Sequence, residues 1–384
     1  MARLEDLDST LVGERLRVAR MNAGINQDIA AKVLDVSRPT LIAIEKGQRK
    51  IKLDEIDRLA QCYGIPLNRL LARDALVLDL RGRFRRVGID ESNALEAITQ
   101  LNKLASASYE LEQLLGLKYS QAYLPEKSIS PGSVDRQAEE AALELRHRLG
   151  IGLAPISDIV SLFENELGVR IFLRPLPSEI AGLFAFDPIV GACILVNSKH
   201  PWERRALTVA HEIGHFLTNR NDVDLVELDE ALSSQDERFA KSFSYSFLMP
   251  PAALRRKFQD IVEANKKFTP RHLTLLAHAF HVSIEALCRS LEQLELLPRG
   301  SFDSLKRRGF DKELVRGVLG DLAPQNASLP SNTRLAHLAT SAYRRGFVSE
   351  GQLVSMLGMD RIEIRALMDQ FGDSDEEEIG IDLA

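Results

Sequence analysis

Two histidines and a glutamate near the middle of the chain have the residue types and the spacing for metal chemistry. His211 and His215 are four residues apart, and Glu212 lies between them. On a helix, this spacing places both imidazoles on one face about one turn apart, where they can bind the same metal ion. Glu212 is one position further round the helix, where its carboxylate can act as a general base towards water. The pattern therefore predicts a metal-dependent hydrolase.

The alternative is that these are ordinary histidines on the surface of a helix. Only 8 of the 384 residues are histidine, so a chance match to this pattern is roughly a one per cent event in such a composition. Apolar residues recur at helical spacing around the motif, which predicts a largely buried helix; they are Leu207, Ala210, Ile213 and Leu217. Buried imidazoles and carboxylates need polar partners, and a metal ion supplies them.

A third metal ligand remains to be identified, because catalytic zinc sites usually have three protein ligands. Seven acidic residues downstream are candidates: Asp222, Asp224, Glu227, Asp229, Glu230, Asp236 and Glu237. Glu237, Ala240 and Ser244 recur at helical spacing, and the two that follow the glutamate are small. This stripe of small residues would let their helix pack closely on the histidine helix and aim Glu237 towards the metal. The other interpretation of Glu237 is a first-turn carboxylate favoured by the helix dipole. The residues alone do not decide between the two.

Length, composition and cysteines limit the class of protein. A chain of 384 residues is long enough for two or three domains, and 45% hydrophobic with 27% charged residues is ordinary for a globular protein. The net charge of −6 argues against a general nucleic-acid coat. Cys62, Cys193 and Cys288 are far apart, so we expect no disulfide framework and a reducing cytoplasm. The chain has no apolar run long enough for a membrane span, and its N-terminus lacks an apolar signal core. We therefore expect neither a membrane span nor export.

The segment from residue 10 to 73 is predicted to be a compact run of short helices. Helices over 27–34 and 38–46 are joined by a tight turn that ends at Ser37, a good N-cap, and this is helix-turn-helix geometry. From Leu11 to Arg73 there are 12 Lys and Arg against 7 Asp and Glu, although the whole chain is negative. This local excess of positive charge is typical of a nucleic-acid-binding domain.

The rest of the chain is predicted to be mixed and then helical, so we expect a multidomain, mainly α protein. A basic linker at 81–86 precedes an amphipathic helix over 91–115, interpreted as a dimer seam or a strut between domains. Residues 133–298 form an α+β unit with helices over 134–149 and 155–167, a small sheet from the runs 169–173, 180–186 and 192–196, and the metal helix over 202–219. Further helices are predicted over 235–248, 251–263, 270–279 and 283–296. A weak helix-turn-helix pattern spans 349–370; packing is the favoured interpretation, and a second DNA reader is the alternative. The predicted domains are the helix-turn-helix at 8–75, the basic linker and amphipathic helix at 76–130 and the α+β unit at 131–298. A helical C-terminal region at 299–372 and an acidic tail at 373–384 follow.

The central motifs together resemble the ImmA/IrrE family of metallopeptidases. They are Ile-Leu-Val-Asn at 194–197, Arg-Arg-Ala-Leu-Thr-Val-Ala-His-Glu-Ile-Gly-His-Phe-Leu at 204–217, Glu237 with Ala240 and Phe243, and Phe-Leu-Met-Pro at 247–250. The resemblance covers about residues 150–298. It implies a zincin-like endopeptidase domain in which His211, His215 and Glu237 bind Zn²⁺ and Glu212 is the general base. Mn²⁺ also accepts such a ligand set.

The match departs from the family at four positions. Lys241 stands where the family usually has Asn, Ser244 where Ala is usual, and Ala206 and Leu207 replace a common Arg-Phe pair. None of them removes a ligand or the base, so we expect metal binding to survive. The loss of the Asn puts the support of the ligands and the turnover in doubt, because such partners orient metal ligands.

The N-terminal segment resembles the Xre/Cro helix-turn-helix family. The motifs are Gly13 to Arg17, Gln27 to Ala30 and Ser37 to Gly47. The resemblance implies that the third helix lies in the major groove of double-stranded DNA. The residues expected to face DNA are Gln27, Ser37, Arg38, Thr40, Ile42, Ala43, Arg49 and Lys50. Arg38 could reach guanine, and Ile42 or Ala43 could touch thymine methyls, whereas Gln27, Arg49 and Lys50 suit phosphates. The alternative is a scaffold that binds a protein partner.

The two resemblances together predict a cytoplasmic DNA-binding transcriptional regulator with zinc-dependent endopeptidase activity. They imply cleavage of a specific partner, a helix-turn-helix repressor or a toxin, in a stress, phage or mobile-element response, and a homodimer is a further expectation. The alternative is a non-catalytic antitoxin or repressor that keeps the metallopeptidase fold for sensing or partner binding.

His272, His278 and His281 lack an accompanying carboxylate at ligand spacing, so we expect no second metal site there.

Overall fold

The chain forms two compact units, residues 1–82 and 83–384. The computed structural model describes residues 9–63, 67, 70, 91–117, 121–220, 225–227, 234–320 and 333–371. The predicted basic linker at 81–86 and the acidic tail at 373–384 lie outside the described residues. Within them, no helix combines the length and the hydropathy that crossing a bilayer requires.

The first unit contains four described helices: α1 (Ser9–Asn22), α2 (Gln27–Leu34), α3 (Arg38–Glu45) and α4 (Leu53–Tyr63). The chain turns from α2 to α3 through Asp35, which adopts a left-handed conformation at φ 56° and ψ 42°. Ser37 then caps α3, because its hydroxyl accepts a hydrogen bond from the backbone N–H of Thr40. The predicted helix-turn-helix is confirmed, and its second helix ends one residue earlier than expected.

Close packing and one buried ion pair hold α3 against α1. A Cβ atom on Gly13 would lie 2.4 Å from the carbonyl oxygen of Ile44, so only glycine allows the two helices to approach this closely. Arg20 on α1 donates to Glu45 on α3 at 2.6 Å, and both side chains are almost fully buried. Breaking a buried pair leaves an uncompensated charge, which is costly. This contact therefore holds α3 in a fixed position against α1.

The second unit contains thirteen described helices and four strands. The elements up to the metal helix are α5 (Glu91–Leu115), α6 (Val134–Arg148), α7 (Ile159–Leu167), β1 (Arg170–Arg174), β2 (Ile180–Asp187), β3 (Gly191–Asn197) and α8 (Trp202–Thr218). Those that follow are β4 (Leu225–Glu227), α9 (Gln235–Leu248), α10 (Pro251–Asn265), α11 (Pro270–Ala279), α12 (Ile284–Gln293), α13 (Ser301–Arg307), α14 (Lys312–Leu319), α15 (Thr333–Arg344), α16 (Glu350–Leu357) and α17 (Arg361–Gln370).

The sequence predicts most of these elements but misplaces one helix start and misses one strand. The predicted helix over 155–167 begins at Ile159, because the Asp158 side chain caps it by accepting from the backbone N–H of Ser161. The strand β4 was not predicted, since three residues are too few to show an alternating pattern. The three predicted strands are confirmed as β1, β2 and β3 to within one residue at either end.

The sheet has the order β1-β3-β2-β4, with β1 parallel to β3 and β2 antiparallel to both β3 and β4. Every residue of β3 is buried, so both faces of the sheet are covered. Helix α8 packs on β2 and β3, and α5 packs on β1, β2 and β3. Helices α15 and α16 pack in turn on α5. The helix interpreted as a dimer seam or a strut is therefore packed within its own unit.

A buried carboxylate ties α5 to both of its neighbours. Glu112 on α5 accepts from Arg170 on β1 at 2.5 Å and from Arg334 on α15 at 3.3 Å. The side chains of Glu112 and Arg170 are 2% and 3% exposed. In such surroundings a carboxylate is stable only when it is paired, so this cluster anchors the C-terminal helices to the sheet through α5.

Helices α8 and α9 pack closely on each other. A Cβ atom on Gly214 would stand 2.7 Å from the Cα atom of Ala240 and 3.1 Å from its Cβ atom. Ala240 and Ser244 are fully buried on α9. The predicted stripe of small residues is therefore confirmed as the surface on which the histidine helix packs.

Gly214→Ala should destabilise the metal-free protein by about 1–3 kcal/mol, because the added methyl group overlaps the backbone of α9. The same substitution at Gly317 on α14 meets open space and should be neutral or stabilising by up to about 1 kcal/mol. Denaturant unfolding in the presence of a chelator measures both. Equal stability of the two variants would contradict the close contact.

Candidate functional site

The two histidines and Glu237 bring three metal-binding atoms together. His211 and His215 lie on α8, with their Nε2 atoms 2.9 Å apart. Glu237 lies in the first turn of α9, with Oε1 3.2 Å from His211 Nε2 and Oε2 3.2 Å from His215 Nε2. The histidine side chains are 10% and 2% exposed, whereas that of Glu237 is 43% exposed. The cluster is therefore buried on the side of α8 and open on the side of Glu237.

These atoms fit one tetrahedral metal ion. Zinc bonds to histidine nitrogen and carboxylate oxygen are about 2.0–2.1 Å long, so two ligand atoms of one zinc ion lie roughly 3.3 Å apart. The observed separations of 2.9 and 3.2 Å are close to this value. Within the described residues, no other group of His, Cys, Asp and Glu side chains brings ligand atoms together in this way. The donor set and its spacing both suit a divalent cation.

The position of Glu237 depends on the start of α9. Ser234 caps the helix, because its hydroxyl accepts from the backbone N–H of Glu237 at 3.1 Å. Burial raises the pKa of the Glu237 carboxyl, but the hydrogen bonds and charges of His211 and His215 outweigh it and hold that pKa well below its ordinary value. The group is therefore a carboxylate near neutral pH, which is the form that binds metal.

Of the other candidate third ligands, Asp236 has a described side chain, and it lies outside the group of converging atoms. Glu227 lies on β4, and its side chain is outside the described part of the chain. The remaining candidates lie outside the described residues: Asp222, Asp224, Asp229 and Glu230. Of the downstream histidines, His272 forms part of the cap of α11, and the rings of His278 and His281 are 6.2 Å apart.

The predicted general base lies beside the cluster and against the sheet. Glu212 is fully buried on α8. A Cβ atom on Gly182 of β2 would lie 3.1 Å from Glu212 Oε1 and 2.5 Å from the Thr208 side chain. A side chain at this position would overlap Thr208, so glycine allows the strand to pass close to the part of α8 that carries Glu212. Gly182 was not predicted as part of the site, although an isolated glycine within a strand is a signal of a close approach.

Arg146 is a second residue that the sequence analysis missed. It is buried on α6, and its guanidinium donates to the carbonyl oxygens of Gly152, Ala154 and Phe247. Burial lowers its pKa to about 10. Because Phe247 lies near the C-terminal end of α9, this contact fixes the helix that carries Glu237. No local sequence signal identifies an arginine that is satisfied by carbonyl groups.

The eight residues expected to contact DNA lie on α2, on the following turn, on α3 and in the loop after it. Ser37, Arg38 and Lys50 are exposed, and the others are half-buried: Gln27, Thr40, Ile42, Ala43 and Arg49. Gln27 accepts from Arg38 Nε at 3.3 Å and donates to Glu45 at 3.2 Å. Arg49 donates to Glu55 at 2.8 Å. The fold brings the eight to one region, and their contacts with DNA stay predictions.

Known proteins resemble the chain in two separate segments. Residues 164–292 match the family described as the IrrE N-terminal-like domain, and residues 16–70 match the family described as helix-turn-helix. The cryptic phage CTXphi transcriptional repressor RstR of Vibrio cholerae is 26% identical over 108 residues, which cover 27% of this chain and 97% of that repressor. No solved structure matches the chain. Both family resemblances are confirmed, and the chain joins a helix-turn-helix domain to an IrrE-like peptidase-family domain.

Removal of one ligand should abolish tight metal binding. At a Zn²⁺ concentration of about 100 times Kd, the wild-type protein should gain about 2.7 kcal/mol of stability, and His215→Ala and Glu237→Gln should lose this gain. His278→Ala, on α11, should keep it. Metal content after dialysis and the Zn²⁺-dependent shift in Tm measure the effect. Wild-type affinity in Glu237→Gln would mean that another residue is the third ligand.

Proposed function

We propose that this protein is a DNA-binding transcriptional regulator that also cleaves a partner protein at a metal-dependent endopeptidase site. The observation that carries the proposal is the convergence of His211, His215 and Glu237 beside the buried Glu212. A structural metal site does not need a general base next to its ligands, whereas a hydrolytic site does. The helix-turn-helix domain in the same chain favours regulation over digestion.

Each residue of the site has a separate role in peptide hydrolysis. His211, His215 and Glu237 would hold a divalent cation, with Zn²⁺ as the proposed ion and Mn²⁺ as the other that suits the set. When bound by these residues, such a cation would supply Lewis-acid chemistry, polarising the scissile carbonyl and lowering the pKa of water at the site. Glu212 accepts the proton of the attacking water and delivers it to the leaving amine.

The proposed substrate is a partner protein, either a helix-turn-helix repressor or a toxin. The similarity to a phage transcriptional repressor supports a place in a phage, mobile-element or stress response. Such a regulator acts on DNA, so we expect it in the cytoplasm. A homodimer also stays a prediction, because DNA-binding domains of this type commonly bind two half-sites.

A second candidate is a repressor or antitoxin without peptidase activity. The repressor similarity favours it, and so does Lys241, which lies one turn after Glu237 on α9 where the ImmA/IrrE pattern has Asn. In this case the metal site would serve sensing or partner binding. The presence of Glu212 argues for the catalytic alternative.

Glu212→Gln should keep the metal and lose the cleavage. The variant retains all three ligands but no general base, so its cleavage rate should fall by about 100- to 10,000-fold. New protein N-termini in cells that express the wild type or the variant can be compared by mass spectrometry, which does not require the substrate to be known. Metal content of the purified proteins completes the measurement.

The matched control is Glu203→Gln, which removes a carboxylate from the first turn of the same helix. It should produce the wild-type set of new N-termini. If Glu212→Gln also produced this set, Glu212 would not be the base. If the wild type bound metal but generated no new N-termini, the non-catalytic candidate would be favoured.

Arg38→Ala should weaken binding of the full-length protein to duplex DNA by about tenfold, because a side chain at the start of α3 would face base edges. Arg17→Ala serves as the control, since Arg17 is paired with Glu14 on α1 at 2.6 Å. It should bind as the wild type does. Affinity should also fall steeply with salt in both proteins, because phosphate contacts release counterions. Salt-independent binding would contradict a DNA-binding role.

A further inference from the structure

The last three described helices repeat the geometry of the first three. We call α15, α16 and α17 (residues 333–371) the C-terminal three-helix unit. Helices α2 and α16 each have eight residues. Each follows an N-cap with extended backbone, Asn26 at φ −77° and ψ 163° and Ser349 at φ −87° and ψ 163°. The similarity extends through the turns on both sides of these helices.

The turn to the last helix is the same in both places. It has three residues, and the first adopts the left-handed conformation: Asp35 at φ 56° and ψ 42°, and Gly358 at φ 64° and ψ 31°. The third residue of each turn caps the next helix, Ser37 for α3 and Asp360 for α17. Both helices then begin with an arginine. Because a helix-turn-helix is defined by this turn, the C-terminal unit contains a second one.

The turn before the eight-residue helix is also shared. Gly24 and Gly346 have φ values of 70° and 72°. In each case the glycine N–H bonds a carbonyl three residues earlier, and the next N–H, of Ile25 or Phe347, bonds one five residues earlier. This is the Schellman ending of a helix. The connection in the C-terminal unit is one residue longer.

Three buried positions coincide as well, whereas the buried Ala31 and Ile44 correspond to the half-buried Val354 and Leu367. A constant offset of 323 residues relates three pairs of fully or almost fully buried side chains, namely Ala30 with Leu353, Leu34 with Leu357, and Leu41 with Ile364. The two units therefore pack α2 on α3, and α16 on α17, through the same positions. The same offset pairs Arg38 with Arg361, Ile42 with Arg365 and Ala43 with Ala366.

The outer face of α17 remains exposed, which a purely structural helix pair does not require. Arg361, Ile362, Arg365 and Ala366 are exposed, and Ile362 reaches 79%. By the offset of 323, Arg361, Arg365 and Ala366 correspond to Arg38, Ile42 and Ala43, which are expected to meet DNA. Ile362 corresponds to Pro39, and Glu363 corresponds to Thr40. The sequence pattern at 349–370 was interpreted as packing, but in the structure the packing involves α16 and leaves this face of α17 open.

A third turn of this kind in the chain shows that exposure is the deciding feature. Between α11 and α12, His281 adopts φ 55° and Ser283 caps the following helix. By the same alignment on the N-cap, Ala286 and Cys288 of α12 correspond to Thr40 and Ile42 of α3, and both are buried. Helix α12 therefore cannot enter a groove, whereas α17 can.

We propose that α17 is a second recognition helix and that the C-terminal three-helix unit binds double-stranded DNA. The unit contains five arginines and four acidic residues, and one of these arginines, Arg334, is paired with Glu112 of α5. Two of the acidic groups, Asp360 and Glu363, accept backbone N–H bonds of the cap, and Glu350 is paired with Arg365 at 3.2 Å. Arg361 remains exposed at the start of α17. The exposed face of α17 that carries this arginine could therefore contact the groove of a DNA duplex.

The chemistry of the face indicates how it would read a sequence. An arginine in the first turn of a groove-bound helix can donate to guanine N7 and O6. Ile362 and Ala366 offer apolar contacts, which suit thymine methyl groups. Arg344 and Arg345, exposed at the end of α15, suit phosphates. Because Arg334 is paired with Glu112, the other four arginines are balanced by the four acidic residues, so we expect this unit to contribute sequence preference more than bulk affinity.

The test is a selection of bound duplexes from a random-sequence library by the full-length protein. The wild type should select two different sequence blocks, one for α3 and one for α17. Arg38→Glu should lose one block, and Arg361→Glu should lose the other, with affinity for the wild-type site lowered by about tenfold. Ala366→Glu, a second exposed change on α17, should behave like Arg361→Glu.

Arg316→Glu is the matched control, because it makes the same charge change at an exposed position of α14, outside the unit. It should select both blocks. The proposal is overturned if Arg361→Glu selects both blocks with wild-type affinity, or if it loses only self-association, which would assign the face to a second copy of the chain. If the N-terminal domain does not bind DNA, the wild type should still select one sequence block, and only the α17 variants should lose it. A failure of the proposed function of the N-terminal domain can therefore be distinguished from a failure of this proposal.

Discussion

The close approach of α8 and α9 is the contact on which the candidate metal site depends. Gly214 faces the backbone of Ala240 with no room for a side chain. This contact sets the distance between the two histidines on one helix and the carboxylate on the other. Since ligand atoms of one metal ion must lie within a few tenths of an ångström of their ideal separation, a single methyl group at the contact would disturb the site before it disturbed the fold.

The elements around this contact hold each participant from a different side. Ser234 fixes the start of α9 through the backbone of Glu237, and Arg146 binds a carbonyl near its end. Gly182 lets β2 pass close to the part of α8 that carries Glu212. Helix α6 and α9 pack along one another, although α6 lies outside the segment that matches the IrrE-like family. The geometry of the four residues of the candidate site is therefore supported by parts of the chain beyond the family segment.

The same local geometry is used for different purposes along the chain. Three helix pairs share a left-handed residue followed by an N-cap, because that backbone gives a sharp turn with satisfied helix ends. In the first unit, a buried ion pair holds the second helix of the pair, α3, against α1. In the pair of α11 and α12, the second helix, α12, is buried in the core. At the C-terminal end, Glu112 and Arg334 anchor the unit and α17 stays exposed. Exposure, and not the turn itself, separates a recognition helix from a packing helix.

The sequence by itself determined the elements with a long periodic pattern and the residues with a fixed local spacing. Helices α5 and α9, the turn before α3 and the pair His211 and His215 all follow from neighbours within a few residues. The tertiary structure alone decided which acidic side chain approaches the histidines, because that distance runs between two helices. It also decided the burial of α5, the roles of Arg146 and Gly182, and the exposed face of α17. Each depends on atoms that are distant in the chain, and local sequence carries no measure of such distances.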